Sequence, residues 1–156
     1  MADKYRKGVG IFLLNKHKKL WVGKRIDLKS DYWQMPQGGI DKLESPEVAM
    51  RRELMEEVGL LQEDYKIIGK TKGWLKYNLP DNLVNIVWKG RYIGQKQIWF
   101  ACRFAGTNSQ IAVDKYEKPE FSCWKWINPF DATRLVVPFK KELYNSILKQ
   151  FSKYLT

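Results

Sequence analysis

Three glutamates grouped along one stretch of the chain are the side chains best suited to do chemistry. Glu53, Glu56 and Glu57 all lie within residues 38–60. On a helix, which turns by about 100° per residue, they share one face at positions i, i+3 and i+4. Ala49 falls among them and is small enough to leave room above that face. The larger apolar side chains gather on the opposite side, where they can be buried: Val48, Met50, Leu54, Met55 and Val58.

Such a cluster is unfavourable in a helix that serves only as structure. Like charges four residues apart destabilise a helix by roughly 0.2–0.5 kcal/mol, and the helix dipole disfavours anions near the C-terminus. A hard divalent cation removes this penalty, because carboxylate oxygens bind Mg²⁺ or Mn²⁺. Water on such an ion can be activated for attack. The cluster therefore predicts metal-assisted hydrolysis of a phosphorylated substrate; the alternative is a solvated acidic face paired with Arg51 and Arg52.

The elements that must position this cluster can be read from patterning. Ser45 is suited to cap a helix that begins at Pro46, runs to about Val58 and stops at Gly59. Pro138 begins a last helix, whose apolar stripe is Phe139, Leu143, Ile147, Phe151 and Leu155. Strands are predicted at residues 9–14, 20–22, 66–70, 83–88, 97–104 and 121–127, with a loop at 26–31 and a turn at Gly38-Gly39. This order predicts an α/β fold with a mixed sheet packed between helices.

The length suits one domain, residues 1–156, and the net charge suits a polyanionic partner. The chain has 156 residues and a net charge of +11, from 28 Lys and Arg against 17 Asp and Glu. Such an excess attracts polyanions, although lysines that merely solubilise the surface account for it equally well. The seven Trp, eight Tyr and seven Phe mostly suit a core, and a few can stack on bases.

The composition argues against several classes of protein. Cys102 and Cys123 form no CxxC pair, and the single histidine, His17, lies in a polar turn. These facts disfavour a zinc site and a disulfide framework, and they favour a reduced compartment. The N-terminus lacks the core of a signal peptide, and no apolar run is long enough to cross a membrane. We expect a cytoplasmic protein.

The spacing of the central motif identifies a family resemblance. Gly38, Glu44 and the run from Arg52 to Leu60 resemble a complete Nudix box, with every fixed position filled. The resemblance implies a loop–helix–loop on an α/β/α sandwich, and Mg²⁺ or Mn²⁺ as cofactor. It implies that Glu53, Glu56 and Glu57 bind metal and activate water, that Arg52 and Glu44 brace the helix, and that Gly38 lets the backbone approach the metal.

Further stretches resemble one branch of this family, which contains bacterial RNA pyrophosphohydrolases and the related dinucleoside polyphosphate hydrolases. They are Tyr5-Arg6-Lys7-Gly8-Val9-Gly10, Trp33-Gln34-Met35-Pro36-Gln37-Gly38-Gly39, Gly94-Gln95-Lys96-Gln97 and Pro119-Glu120-Phe121. This resemblance implies that Glu120 is a metal ligand from outside the helix. It also implies that substrate phosphates and the first bases are held by Arg6, Arg25, Val137, Phe139 and Lys140, with Tyr77 and Gln95 as weaker candidates. The alternative for Phe139 is a core residue.

Three functional interpretations follow. The first is removal of pyrophosphate from the 5′ end of triphosphorylated RNA, and the second is hydrolysis of a dinucleoside polyphosphate such as diadenosine tetraphosphate. The third is a non-catalytic Nudix module that binds nucleotide or RNA; the intact carboxylate set argues against it. We expect an RNA end or a dinucleoside polyphosphate as the substrate, and no membrane or DNA partner.

Overall fold

The protein is a mixed sheet with helices on both faces. The computed structural model describes residues 3–26, 31–115 and 119–156. Its strands are β1 (Tyr5–Leu14), β2 (Leu20–Arg25), β3 (Trp33–Gln34), β4 (Gln37–Gly39), β5 (Tyr65–Lys70), β6 (Leu75–Asn78), β7 (Gly94–Phe104) and β8 (Phe121–Ile127). Its helices are α1 (Pro46–Glu53), which continues through a wider turn at Leu54–Val58, α2 (Asp81–Val84), α3 (Ala132–Leu135) and α4 (Lys141–Gln150).

The parallel pair of β1 and β7 forms the centre of the sheet. The two strands are in register from Tyr5 opposite Gly94 to Leu14 opposite Arg103. All other pairings are antiparallel: β2 and β4 join β1, β5 and β6 join β7, and β3 and β8 join β2. The central strands are apolar runs because both of their faces are covered.

Alternate residues of β1 divide the core into two layers. Ile11 and Leu13 belong to the cluster that contains Met50 and Leu54 of the segment from α1 onward. Phe12 and Leu14 belong to the cluster that contains the buried face of α4. Successive side chains of a strand point to opposite faces, so one strand serves both layers. The predicted α/β sandwich with a mixed sheet is confirmed.

Most predicted elements are present, with longer strands than the patterns indicated. The helix from Pro46 to Val58 is confirmed, and Gly59 ends it with a φ of 79°. The last helix begins with a 3₁₀ turn at Pro138–Lys140 before α4. Leu143, Ile147 and Phe151 of its stripe are buried, while Phe139 and Leu155 pack partly buried against the same core.

Two predictions were wrong, and three short elements, β3, β6 and α3, were missed. Residues 83–88 do not form a strand: α2 follows Pro80, and a 3₁₀ turn covers Val87–Gly90. Leu83, Val84 and Val87 pack partly buried against the core from this helical segment. This packing outweighs the preference of the valines for strands. Gly38-Gly39 lies in β4 rather than in a turn, because it pairs with β1. β6 and α3 have four residues each, too few for a periodic signal.

Of the loop predicted at residues 26–31, Ile26 lies in a turn and residues 27–30 are outside the described residues. Within the part of the chain that the structure describes, no helix is long and apolar enough to cross a membrane.

One hydrogen bond ties α4 to the strand segment that leads into β4. The backbone N–H of Met35 donates to the hydroxyl of Tyr144 over 2.8 Å, and both residues are fully buried. A buried donor that loses its acceptor costs about 1–3 kcal/mol. This bond therefore fixes the backbone two residues before Gln37 with respect to the helix below it.

Replacing Tyr144 by Phe should lower the melting temperature by roughly 3–10 °C, because the Met35 N–H loses its only hydroxyl acceptor in a dry environment. Thermal unfolding followed by circular dichroism measures the change. Ser146→Ala, on the exposed side of the same helix, is the control and should unfold close to wild type. Equal melting temperatures for Tyr144→Phe and wild type would show that the bond contributes nothing.

Candidate active site

The acidic helix is capped at its start and widened at its end. The Ser45 hydroxyl accepts the N–H of Val48 over 3.2 Å, and Pro46 occupies the first helical turn. From Leu54 the helix forms a π turn, in which the N–H of Gly59 reaches back to the carbonyl of Leu54. Such turns are rare and are often found at functional sites.

Arg52 holds the carboxylates of this helix and of the preceding loop together. Its guanidinium donates two bonds to Glu44, of 2.8 and 2.9 Å, and one of 2.9 Å to the carbonyl of Gly39. It also reaches Glu53 at 2.8 Å and Glu56 at 3.2 Å. These bonds raise the pKa of Arg52 further above its usual range and lower the pKa of Glu44. Arg52 thereby connects the helix to Glu44 in the preceding loop and to the end of β4.

Glu53 and Glu57 are buried, whereas Glu56 is exposed. Burial raises the pKa of Glu53 to about 7 against the opposing charge of Arg52, with Glu56 and Glu120 adding to the rise. Burial also raises the pKa of Glu57 well above its usual value, and the charges of Glu53 and Glu120 act in the same direction. Both carboxyls therefore hold a proton more tightly than an ordinary glutamate does.

The strand β4 approaches these two carboxylates closely. The backbone N–H of Gln37 donates to the carboxylate of Glu57. A Cβ placed on Gly38 would lie 2.1 Å from the carboxyl carbon of Glu53, so any larger residue there would displace this carboxyl group. Oε2 of Glu57 is buried and has no hydrogen-bond partner among the described residues. A buried carboxylate oxygen without a hydrogen-bond partner is costly, and such an oxygen is suited to bind a cation.

A cavity of about 290 Å³ opens above this pair, with acidic and basic groups in its walls. Glu53, Glu57 and Glu120 supply the carboxylates, and Arg6 and Arg25 supply the cations. A site that carries both signs of charge can hold a metal ion together with an anionic substrate. Gln34, Gln37, Gly38, Gly39, Trp88 and Gln95 complete the lining.

Strand pairing explains how distant residues meet in this cavity. Arg6 on β1 lies opposite Gln95 on β7 in the parallel register. A bulge at the end of β2 shifts the register at Arg25, and the next N–H, of Ile26, donates to the carbonyl of Glu120 over 2.9 Å. Bulges redirect side chains at sheet edges. Arg25 and Glu120 consequently line the same cavity.

The donor set fits a divalent ion, although the carboxylates are not gathered as a ready ligand shell. Across residues 3–26, 31–115 and 119–156, no three Asp, Glu, His or Cys side chains form a metal-binding group. Two of the glutamates, Glu53 and Glu56, are bound by Arg52 instead. The unpartnered oxygen of Glu57 and the all-oxygen chemistry of the site suit Mg²⁺ or Mn²⁺.

The remaining substrate candidates lie beside the cavity rather than in its lining. Tyr77 and Phe139 are packed with ring centroids 5.9 Å apart, and both line a neighbouring pocket of about 330 Å³. Lys140 is buried, with its Nζ 5.3 Å from the centre of the Tyr77 ring. Val137 packs partly buried against the core. Phe139 packs against the same core, so the alternative considered for it describes part of its surroundings.

Two features of the site were not found from the sequence. The side chain of Gln97 donates to Gln37 over 3.1 Å and accepts from the indole of Trp99 over 3.0 Å, which places a buried amide network under the cavity. Gln97 alternates with the candidate Gln95 within an apolar strand, and this pattern could have indicated Gln97. Trp88 reaches the cavity from a segment that had been interpreted as a strand.

The raised pKa values of Glu53 and Glu57 predict how stability changes with pH in the absence of divalent ions. The folded state keeps protons that the unfolded state releases near pH 4.5, so stability should fall as pH rises from about 4.5 towards 7 and beyond. The slope is about 1.4 kcal/mol per pH unit for each such group. Glu53→Gln should flatten the profile and leave the protein more stable than wild type at pH 8.

Chemical denaturation in chelator between pH 5 and 8 measures this effect. The control, Glu63→Gln, lies in an exposed turn and should follow the wild-type profile. Adding Mg²⁺ or Mn²⁺ at pH 8 should restore the stability that the wild-type protein loses in chelator. A wild-type protein that is as stable in chelator at pH 8 as at pH 5 would contradict the interpretation.

Comparison with known proteins places the chain in a family. A model described as the NUDIX domain matches residues 4–147. A protein of Wolbachia pipientis subsp. Culex pipiens named RNA pyrophosphohydrolase is 44% identical over 151 residues, which cover 97% of this chain and 91% of that protein. A protein of the same name from Zymomonas mobilis is 46% identical over 151 residues, which cover 97% of this chain and 97% of that protein.

Solved structures share the fold at low identity. The Ap4A hydrolase of C. elegans in a binary complex has a TM-score of 0.70 and 19% identity, covering 96% of this chain and 97% of that one. The dihydroneopterin triphosphate pyrophosphohydrolase of E. coli has a TM-score of 0.69 and 18% identity, covering 92% and 97%. Given the family model over residues 4–147 and the extent of the two sequence matches, the chain belongs to the Nudix family of hydrolases.

Proposed function

We propose that this protein hydrolyses a phosphoanhydride bond at the 5′ end of triphosphorylated RNA and releases pyrophosphate. The observation that carries the proposal is the cavity in which Glu53 and Glu57 share the walls with Arg6 and Arg25. Relatives named RNA pyrophosphohydrolase match almost the whole chain, which supports RNA as the substrate. The free thiols of Cys102 and Cys123 suit the cytoplasm as its compartment.

We propose that Mg²⁺ or Mn²⁺ is held by carboxylates of the helix and by groups beside it. Glu53, Glu57 and Glu120 all line the cavity. Gly38 offers its backbone because no side chain separates it from Glu53. Glu56 belongs to the proposed set but must exchange its bond with Arg52. The bound ion supplies positive charge to the phosphates and lowers the pKa of water that it holds.

The protein's own groups then divide the remaining tasks. Glu53 accepts the proton of the attacking water and acts as the general base. Arg52 keeps that carboxylate oriented through a 2.8 Å bond. Arg6 and Arg25 bring positive charge to the substrate phosphates from the other walls of the cavity. The bond between the α and β phosphates breaks, and the RNA keeps one phosphate.

A second candidate, hydrolysis of dinucleoside polyphosphates, uses the same carboxylates on a smaller substrate. The Tyr77–Phe139 pair favours it as a surface for a nucleoside, and the same pair suits a base of RNA. A non-catalytic module is disfavoured, because the set of glutamates is complete. Among the described residues, Oε2 of Glu57 is also buried without a hydrogen-bond partner, which suits catalysis.

Metal removal and one amide substitution test the chemistry. Hydrolysis should stop in chelator and return with Mg²⁺ or Mn²⁺. Glu53→Gln keeps the shape of the side chain but cannot accept the proton, so kcat should fall by about 10²–10⁴ with metal saturating. Glu63→Gln, outside the site, should leave kcat at the wild-type value. Full activity of Glu53→Gln would remove that residue from the role of base.

The substrate is tested by comparing kcat/KM for triphosphorylated RNA and diadenosine tetraphosphate at fixed salt. RNA should be preferred, and its binding should weaken as salt rises, since neutralised phosphates release counterions. Phe139→Ala and Arg25→Ala should each lower kcat/KM for RNA by roughly ten- to a hundredfold, the range of a lost stacked base.

Two exposed residues provide matched controls for these substitutions. Phe130 and Arg134 both lie on the surface near α3, and their alanine variants should keep the wild-type preference. A strong wild-type preference for diadenosine tetraphosphate would replace the first candidate by the second. RNA turnover unaffected by Phe139→Ala and Arg25→Ala would remove those residues from substrate binding.

A further inference from the structure

One face of the sheet carries three lysines side by side on adjacent strands. Lys7 of β1 lies opposite Lys96 of β7 in the parallel register, and Lys96 lies opposite Lys76 of β6 in the antiparallel register. Residues that lie directly opposite one another project from the same face, and neighbouring strands are only about 4.7–4.9 Å apart. We call these three residues the lysine row. Like charges placed opposite one another are destabilising, so the row does not serve the stability of the sheet.

The lysine row lies on the α1 side of the sheet, next to the part that the core layer covers. Two residues further along β1 and β7, Val9 belongs to the core layer beneath α1, and Ile98 packs against that layer. Residues two apart in a strand project from the same face. Lys7 and Lys76 are exposed, and Lys96 is partly buried. The row therefore presents its charge to solvent where the core layer ends.

Two aromatic rings flank the lysine row. The Nζ of Lys76 is 4.8 Å from the centre of the Tyr5 ring, and the Nζ of Lys96 is 5.5 Å from the centre of the Trp74 ring. The hydroxyl of Tyr5 donates to the side chain of Asn78 over 2.8 Å, which fixes that ring. Trp74 is 37% exposed, so its ring is accessible. Cations beside accessible rings combine attraction for phosphates with surfaces on which bases stack.

Two ordinary explanations account for only part of the lysine row. A lysine on an edge strand prevents unwanted strand pairing, and this explains Lys76, because β7 is the only partner of β6 among the described strands. Lys96, however, is on an interior strand between β1 and β6. Asp3 forms an ion pair with Lys96 and compensates one charge. Three lysines against one aspartate leave an excess of two positive charges for a polyanion.

The edge strand β6 connects the lysine row with the rings proposed to hold the first bases. Lys76 and Asn78 line the pocket of about 330 Å³ that also contains Tyr77 and Phe139. Successive side chains of a strand project from opposite faces, so Tyr77 faces the ring pair while Lys76 faces Tyr5. A single strand that leaves the Tyr77–Phe139 pair therefore reaches the row by crossing one edge strand.

We infer that the lysine row, together with Tyr5 and Trp74, is a second RNA-binding surface that holds the single strand downstream of the first bases. The phosphates of the strand contact the three lysines, and its bases stack on the two rings. Neither contact identifies a base, so this binding is independent of sequence. The surface is distinct from the catalytic cavity, whose described lining includes none of the five residues. The inference rests on the proposed function only in taking RNA as the occupant.

Direct binding measures this surface apart from catalysis. An unstructured RNA of about twenty nucleotides with a 5′-hydroxyl carries no phosphoanhydride, so fluorescence anisotropy in Mg²⁺ gives its Kd without turnover. The combined variant Lys7→Gln, Lys76→Gln and Lys96→Gln should raise this Kd about tenfold or more. It should also reduce the slope of log Kd against log salt by about two, at roughly 0.7 for each lost phosphate contact.

A ring substitution separates stacking from charge. Trp74→Ala should raise the same Kd roughly five- to a hundredfold, the range of one lost stacked base, and should leave the salt slope unchanged. Trp74 is exposed, and so are two of the three lysines, so these variants keep the core intact.

Turnover should depend on RNA length through the same surface. In the combined lysine variant, kcat/KM for a triphosphorylated RNA of about twenty nucleotides should fall roughly tenfold. A triphosphorylated dinucleotide ends before it reaches the row, so its kcat/KM should stay at the wild-type value. Equal losses for the long and the short substrate would overturn the surface.

A matched triple variant controls for net charge. Lys16, Lys19 and Lys149 are exposed and lie outside the row, so replacing all three by Gln removes the same charge. This control should bind the 5′-hydroxyl RNA close to wild type. Equal weakening by the two triple variants would show general attraction alone and would overturn the surface, as would wild-type binding by the row variant.

Vesicles that contain phosphatidylserine test the other polyanion that lysines attract. A row variant that loses vesicle binding and keeps RNA binding overturns RNA as the occupant. Failure of the proposed function has a different signature, which is hydrolysis of diadenosine tetraphosphate without hydrolysis of triphosphorylated RNA. The Kd and salt slope for 5′-hydroxyl RNA still decide the surface in that case, because that ligand is not a substrate.

Discussion

The burial of two glutamates against one short strand is the constraint around which this protein is arranged. Glu53 and Glu57 are removed from water, and Glu53 is in contact with a cation, at 2.8 Å from Arg52. Buried charge without compensation is strongly unfavourable, so the fold must either protonate these groups or supply positive charge to them. Arg25 also acts on Glu57 through its charge and opposes the rise in its pKa. Oε2 of Glu57 has no hydrogen-bond partner among the described residues, so hydrogen bonds compensate this carboxylate only in part.

The central strands of the sheet hold in place the backbone that faces these glutamates. β4 reaches the glutamates because it pairs with β1, and β1 pairs in parallel with β7. Gln97 on β7 then bonds to Gln37 on β4 from below. On the other side, Tyr144 of α4 receives the N–H of Met35. The backbone that faces the carboxylates is thus fixed by a strand, an amide and a helix.

The substrate groups are distributed over two pockets around the charged cavity. Arg6 is wedged between Gly39, where a Cβ would lie 2.1 Å from its Nη2, and the ring of Trp88. Tyr77 and Phe139 form a second aromatic wall, connected to the site through a hydrogen bond between Tyr77 and the Gln37 side chain. The surroundings of the charged cavity therefore offer a guanidinium at Arg6 and a pair of aromatic rings at Tyr77 and Phe139.

The sequence by itself determined the acidic helix, its limits at Pro46 and Gly59, and the sandwich of helices around a mixed sheet. Caps, glycine stops and helical periodicity act over a few residues, so they can be read without knowledge of distant contacts. Glu120 became a candidate metal ligand only through the resemblance of the chain to a family, because a single loop carboxylate carries no local signal.

Only the tertiary structure decided which glutamates are buried, where the arginines meet them and how residues 83–88 fold. Glu56 and Glu57 are neighbours in the chain, yet one is exposed and the other dry, since the π turn and β4 set the direction of each. Arg25 and Glu120 meet through a bulge and a strand pairing about a hundred residues apart in sequence. Trp88 reaches the cavity because two left-handed residues bend its segment, and that bend is held by hydrogen bonds to β1 and β6 neighbours that no local pattern encodes.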